Sequence, residues 1–371
     1  MSASPRQVLA RVDDELRALW AARAAPGETP RSRARTANLV VVAANPALAD
    51  AWRPILDEVV QNVPARAIVV GLDPEGPDGL EANVSAVCSL AGSDGSPAIC
   101  SEVVSLVARG AVSGRVPSVV SGLCMSDVTT TLVWLGRVHT DDPAFAPLAA
   151  DCGRIVLDAA EGSLASLANV VYWARTRAPA DRPGVADLAW TRISAWQELC
   201  ARMFDEPRLR GLSSRVTKVS VTQASEAGAA LGAEGALLLA WLATRLGWRA
   251  TSLAGKLRLL RADGVPVRVS LHAQTGPGAD RHALHAVSVE AGDESLAMVG
   301  QITREDDAAN WTLAIVPSGG ERSHLQHRVR LVASQTARLL ERTLRRPLRD
   351  PALVEAVTWA DQLRGEELAC A

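Results

Sequence analysis

Apolar residues recur at helical spacing in the first stretch of the chain, where Val8, Leu9, Val12, Leu16, Leu19 and Trp20 share one side between Pro5 and Arg23. That pattern predicts an amphipathic helix. The period then changes. Leu39 to Ala44 is continuously apolar, as in a strand buried on both faces, and Asn45-Pro46 supplies a cap and a first-turn proline for a helix running to about Val63. Arg66–Gly71, Val84–Leu90, Ala98–Val107, Thr131–Leu135 and Arg154–Asp158 read as further strands, Val119–Cys124 closes a helix, and Gly162–Arg177 is helical from a Ser163 cap. Short apolar runs alternating with helix-length segments predict a largely parallel α/β sheet domain over residues 1–177, with the amphipathic helix leading it.

A proline- and glycine-rich cluster, Ala178-Pro179-Ala180-Asp181-Arg182-Pro183-Gly184, marks a linker at 178–186. Beyond it, Asp187 is placed to cap a helix whose Trp190, Ile193, Trp196, Cys200 and Met203 form one stripe. A strand over Val216–Val221 follows, and then an apolar helix from Ala233 to Leu246, stopped by Gly247. Strand-like runs at Val265–His272, Ala283–Glu290, Leu296–Ile302, Trp311–Val316 and Val329–Val332 predict an antiparallel sheet, and helices at Ser334–Arg345 and from Asp350-Pro351 to Leu363 finish the chain. Residues 187–371 are therefore expected to form an α+β domain.

Composition narrows the function classes. A chain of 371 residues with 48% hydrophobic and 22% charged residues suits two globular domains and excludes global disorder. Net charge −2 argues against a whole-protein nucleic-acid binder. The longest apolar run, Ala236–Ala243, is far short of the ~20 residues of a membrane span, and Asp13, Asp14 and Glu15 interrupt any signal core, so a cytoplasmic protein is expected. Cys88, Cys100, Cys124, Cys152, Cys200 and Cys370 form no Cys-x-x-Cys pair and are expected as buried or surface thiols. Ten Trp against two Phe and one Tyr is unusual; the stripe of Trp190 and Trp196 favours core filling over an interface.

The chemical templates fail one by one. A dinucleotide site needs glycines between the first strand and helix, and Val42-Ala43-Ala44-Asn45-Pro46-Ala47 has none, so the first domain is expected to be Rossmann-like without the glycine fingerprint. Gly255-Lys256 has Ala250 where a phosphate-binding loop needs glycine. His282/His285 and His324/His327 have a spacing that places each pair on opposite faces of a strand or in a polar stretch, and neither is assigned a metal. No catalytic residue, cofactor or metal is assigned. From Arg322 to Arg349 there are eight Arg and one acid, Glu341; Arg338, Arg342, Arg345 and Arg346 form a helical stripe opposite Leu339, Leu340 and Leu344. That stripe is either a solvated face or a dock for an acidic partner, and Arg192 lies off the Trp190–Trp196 stripe, free to act.

The segments Arg35–Val42, Pro64–Val70, Ile99–Glu102 and Leu132–Gly136, then Asp187-Leu188-Ala189-Trp190-Thr191-Arg192-Ile193-Ser194-Ala195-Trp196 and Leu238–Trp248, resemble in order the glucose-6-phosphate dehydrogenase assembly protein family, often called OpcA. Trp134, Trp190, Trp196 and Trp241 lie inside these motifs. Where the family usually has a proline before the Trp134 strand, this chain has Ser126-Asp127-Val128-Thr129-Thr130. The resemblance implies a non-catalytic protein that binds glucose-6-phosphate dehydrogenase and promotes its active oligomer. Arg192, Arg338, Arg342, Arg345 and Arg346 are the candidate partner-binding residues. A nucleotide- or sugar-phosphate-binding enzyme or sensor is the alternative.

Overall fold

The computed structural model describes residues 5–23, 31–33, 36–89, 98–224, 232–253, 256–274, 283–331, 335–362 and 367–368. The chain divides into two compact units, one made of residues 1–188 and 335–350, the other of 189–334 and 351–371.

The first unit runs α1 (Pro5–Arg23), β1 (Arg31–Arg33), β2 (Asn38–Ala43), α2 (Pro46–Asn62), β3 (Arg66–Asp73), β4 (Gly79–Cys88), β5 (Ala98–Arg109), α3 (Val116–Leu123), β6 (Thr130–Leu135), α4 (Phe145–Ala150), β7 (Arg154–Leu157), α5 (Leu164–Arg175) and β8 (Gly184–Asp187). Its sheet has the order β1-β5-β3-β2-β6-β7-β8, parallel throughout, with β4 antiparallel to β5. Setting aside β1 and β4, the strands taken in chain order lie 3-2-1-4-5-6, the doubly wound arrangement. β2 is buried along its whole length, as its unbroken apolar run requires. Asn45 caps α2, its side chain accepting from the Leu48 N–H at 2.8 Å, and the helix continues through Pro54. Gly71 at the end of β3 has a steric reason: a Cβ there would stand 2.7 Å from the Pro46 Cα.

The second unit contains α6 (Leu188–Arg192) from its second residue, α7 (Ser194–Arg202), β9 (Val216–Ala224), α8 (Ala233–Arg245), β10 (Arg249–Leu253), β11 (Lys256–Leu260), β12 (Pro266–Gln274), β13 (Leu284–Gly292), β14 (Leu296–Glu305), β15 (Ala308–Pro317) and β16 (Ser323–Arg330). After α9 (Thr336–Arg345), which belongs to the first unit, α10 (Pro351–Asp361) and β17 (Glu367–Leu368) return to the second. Its sheet is ordered β10-β11-β12-β9-β13-β14-β15-β16, with β17 on β11. The pairing is mostly antiparallel; β9 with β12 and β11 with β17 are parallel. Gly247 takes φ +68° after α8, the left-handed conformation that ends a helix.

Several expectations need correction. Residues 184–186, read as linker, and Asp187, read as a helix cap, form β8, because Val185 and Ala186 continue the parallel ladder beside β7. The Ser334–Arg345 helix, read as part of the second domain, packs in the first unit. There Ala337, Leu339 and Leu340 join Leu56, Val59 and Val60 of α2 over the sheet. The strand expected at Val329–Val332 lies earlier, as β16, so His324 and His327 are on a strand instead of preceding one. Cys88 and Cys100, expected as thiols, face each other across the antiparallel β4–β5 pair and form a disulfide. The Trp190–Met203 stripe is split into α6 and α7 at Ile193, yet all five residues are buried.

Candidate functional site

A doubly wound sheet offers a ligand crevice at the carboxyl ends of the strands where the order reverses, here between β2 and β6. In dinucleotide sites the helix after the first strand presents several free N–H groups to phosphate. At α2, Pro46 has no N–H, the Leu48 N–H is taken by Asn45 Oδ1, and the Ala49 N–H donates to the Asn45 carbonyl at 3.2 Å. The carboxylate at the end of the second strand, which such sites use for the ribose, is Asp73; the Arg109 Nε lies 3.6 Å from it, and Arg109 Nη1 reaches Glu81 at 2.6 Å. Two groups that such a site would offer to a dinucleotide, the Leu48 N–H and the Asp73 carboxylate, thus face partners within the chain. At the opposite, amino ends of β2 and β6, the Ser126–Thr130 turn is fixed by Asn38, whose side chain donates to the Met125 carbonyl at 2.8 Å and Thr130 Oγ1 at 3.0 Å and accepts from the Met125 N–H at 3.0 Å.

Of the candidate partner-binding arginines, Arg192 belongs to the second unit and Arg338, Arg342, Arg345 and Arg346 to the first. Arg192 is not free: its Nη1 lies 2.8 Å from Oε1 of Glu234, a carboxylate buried in α8. Arg338 is exposed and approaches Glu58 of α2 at 3.6 Å and Glu341 at 3.2 Å. Arg345 lies over the Asn62 carbonyl, and Glu341 is buried, accepting from Asn62 Nδ2 at 2.9 Å. Arg342 is half-buried. Arg346 falls just beyond α9, where burial and the neighbouring Arg342 lower its pKa while Asp350 opposes them. The opposite face behaves as its spacing predicts, with Leu339 and Leu340 buried and Leu344 packed on the same cluster.

None of the ten tryptophans is exposed. Trp134 packs edge-on against Phe145 at 5.2 Å, Trp190 and Trp196 are buried, and Trp241 is half-buried.

Two polar groups with structural consequences match none of the chemical templates, although Glu102 ends the family-like Ile99–Glu102 segment. Arg154, 2% exposed, donates to the carbonyls of Thr343 at 2.8 Å, Leu344 at 3.1 Å and Arg346 at 2.6 Å, closing the C-terminal turn of α9. Glu102, fully buried, pairs with Arg66 at 2.8 Å and accepts from Trp20 Nε1 at 2.7 Å. The local chemical signal was a lone charge within or beginning an apolar strand run, which does not name a partner. Among the described residues no cluster of three or more His, Cys, Asp or Glu could hold a metal ion; His282 lies outside the described residues, and His285 is on β13.

Two family models match in tandem, the glucose-6-phosphate dehydrogenase subunit N-terminal domain over residues 56–172 and its C-terminal domain over 183–357. The chain belongs to the glucose-6-phosphate dehydrogenase assembly protein family. Proteins named "Putative OxPP cycle protein OpcA" are similar to it. That of Nostoc punctiforme is 30% identical over 203 residues, 53% of this chain and 41% of the relative. That of Synechocystis sp. is 26% identical over 204 residues, 53% of this chain and 40% of the relative. The chain thus spans well under two thirds of the length of the curated relatives it matches. Among solved structures, a 3-ketoreductase from Actinomadura kijaniata in complex with NADP shares 10% identity at a TM-score of 0.45, covering 90% of this chain and 98% of that one. An oxidoreductase from Sinorhizobium meliloti shares 11% at 0.43, covering 89% of each. No helix among the described residues is long and apolar enough to cross a membrane.

Proposed function

We propose that this protein is a non-catalytic factor that binds glucose-6-phosphate dehydrogenase and favours its active oligomer. The observation that carries this reading is the tandem match of both family domains, in order, across most of the chain. The switch-point crevice supports it: the Leu48 N–H in the first turn of α2 donates to Asn45, and Arg109 approaches Asp73. An activator works by binding the active state of its target more tightly than the inactive one, and ~1.4 kcal/mol of difference shifts that equilibrium about tenfold.

The test is to assay the dehydrogenase encoded in the same genome with and without the full chain, and to run the mixture on a sizing column. Raised activity with co-elution in a larger species is expected. An unchanged rate and separate elution would overturn the reading. So would saturable quenching of Trp fluorescence by NADP together with turnover by this chain alone, which would favour an enzyme.

A further inference from the structure

β16 is the last strand of the second unit's sheet. Its hydrogen-bonded neighbour is β15, in register from Ala308↔Arg330 to Ile315↔Ser323. Along its outer edge the backbone N–H and C=O groups have no strand opposite among the described residues, a ready template for another strand. Side chains alternate across the sheet, so Leu325, His327 and Val329 share the face of Trp311, while His324, Gln326, Arg328 and Arg330 share the other.

The first of these faces is covered by α7 up to β15 and then opens. Trp311 is buried and donates its Nε1–H to the Leu199 carbonyl of α7 at 3.0 Å. Opposite Leu313, which is buried, Leu325 is 39% exposed. Between the end of α7 and β16 lies an open cavity of about 380 Å³, lined by Leu199, Arg202, Asp205, Trp311, His327 and Val329. The His327 ring lies 5.5 Å from that of Trp311.

Charge identifies what fits. From Arg322 to Arg330 the sequence has three Arg and two His and no acid, and Arg328 is exposed with no ion partner among the described residues. Charges on an edge strand can simply keep other sheets away. That role does not account for a tryptophan-walled cavity opening beside the same strand.

We propose that the β16 edge and the adjoining cavity bind an extended acidic segment of a partner protein, which adds as a further strand and seats one apolar side chain against Trp311. Main-chain hydrogen bonds to the open edge supply affinity, and alternate side chains supply selectivity. Acidic residues along one side of the segment meet Arg328 and its neighbours, and the apolar residue on the other side enters the cavity. A nucleic acid suits the surface less well, because an open strand edge offers main-chain donors and acceptors that another strand matches in register, and the cavity wall of Leu199, Trp311 and Val329 suits an apolar side chain. The inference deepens the proposed function, since it rests on this chain acting by protein contact.

The probe is a fluorescein-labelled Glu-Val-Glu-Leu-Glu-Phe-Glu peptide titrated into the full chain and followed by anisotropy. Saturable binding, weakened at high salt, is expected. The double variant Arg328→Glu/Arg330→Glu and the single variant Leu325→Asp should each bind at least tenfold more weakly, with unchanged circular dichroism because these residues are exposed, while Arg210→Glu on the same unit binds as wild type. No binding, or equal binding by all variants, would overturn the proposal. The same variants are then tested with the dehydrogenase. If wild type and double variant bind it equally, the site is wrong and the proposed function stands. If wild type binds the peptide and not the dehydrogenase, the proposed function fails and the site stands. Tighter, variant-sensitive binding of a DNA duplex would overturn the proposal in favour of nucleic acid. Self-association lost in the double variant would overturn it in favour of a second copy of the chain.

Discussion

Two buried thiols make a testable link between single residues and stability. Cys200 is fully buried and Cys152 nearly so, and burial pushes the pKa of each from 9.0 up to about 12. The folded protein therefore holds protons that the unfolded chain gives up once pH passes about 9, so stability falls as pH rises from there towards 12 and is unaffected below. The slope is about 1.4 kcal/mol per pH unit per thiol. Urea midpoints should be level from neutral pH to about 8.5, decline above 9, and decline less steeply in Cys200→Ala, where the buried Cys152 thiol and the Cys124 thiol, also raised by burial, remain. A curve level through pH ~11 would show that neither thiol is sealed. Their burial was legible in part, since Cys200 lies on the stripe with Trp196 and Met203. The roles of Arg192, Arg154 and Glu102 were not. Helical spacing tells which side a residue faces, whereas an ion pair such as Arg192–Glu234 joins residues 42 apart in the chain, and no local pattern encodes that.

At the scale of elements, the strands buried on both faces were the most legible, because a run such as Leu39-Val40-Val41-Val42 has no amphipathic helical reading. Strands of mixed polarity were harder. β16 is mostly exposed and carries Gln326 between two histidines, so its alternation has no apolar side strong enough to mark it. The β4–β5 hairpin shows a second limit: both strands were visible, but their antiparallel pairing, and with it the meeting of Cys88 and Cys100, depends on register. That bridge spans 12 residues of sequence. On the chain-entropy argument a loop of that size stabilises by about 3 kcal/mol when closed. Cys88→Ser/Cys100→Ser, or treatment of wild type with dithiothreitol, is expected to lower the unfolding free energy by about 2–3 kcal/mol, with the loss localised to β4–β5 by hydrogen exchange. Alkylation of unreduced protein, followed by peptide mass mapping, should leave both sulfurs unmodified. Free reaction at Cys88 and Cys100 would show the bridge does not form.

For the whole molecule, the informative difference lies between the order of the chain and the order of its packing. A proline–glycine cluster at 178–184 looks like a domain boundary, yet the chain leaves the first unit at Leu188, returns at Gln335 and leaves again after Asp350. The returning helix, α9, is structural there. Leu339 and Leu340 are buried against α2, Arg154 gives its guanidinium to three carbonyls at the helix end, and Leu348 passes so close to β8 that a Cβ on Gly184 would collide with the Leu348 carbonyl oxygen. No sequence pattern announces this, because the amphipathicity of α9 specifies that it must pack and not against which unit. The consequence is measurable. A fragment ending at residue 188 uncovers the α2 side of the core, losing about 1.5–3 kcal/mol for each leucine no longer buried, and leaves Arg154 buried with its acceptors removed. It should precipitate or melt without cooperativity. Residues 1–188 joined through a short flexible linker to 335–350 should instead show a cooperative thermal transition and dispersed amide resonances. If the fragment ending at 188 folds as well as the joined one, α9 is dispensable and the boundary suggested by the linker composition is the true one.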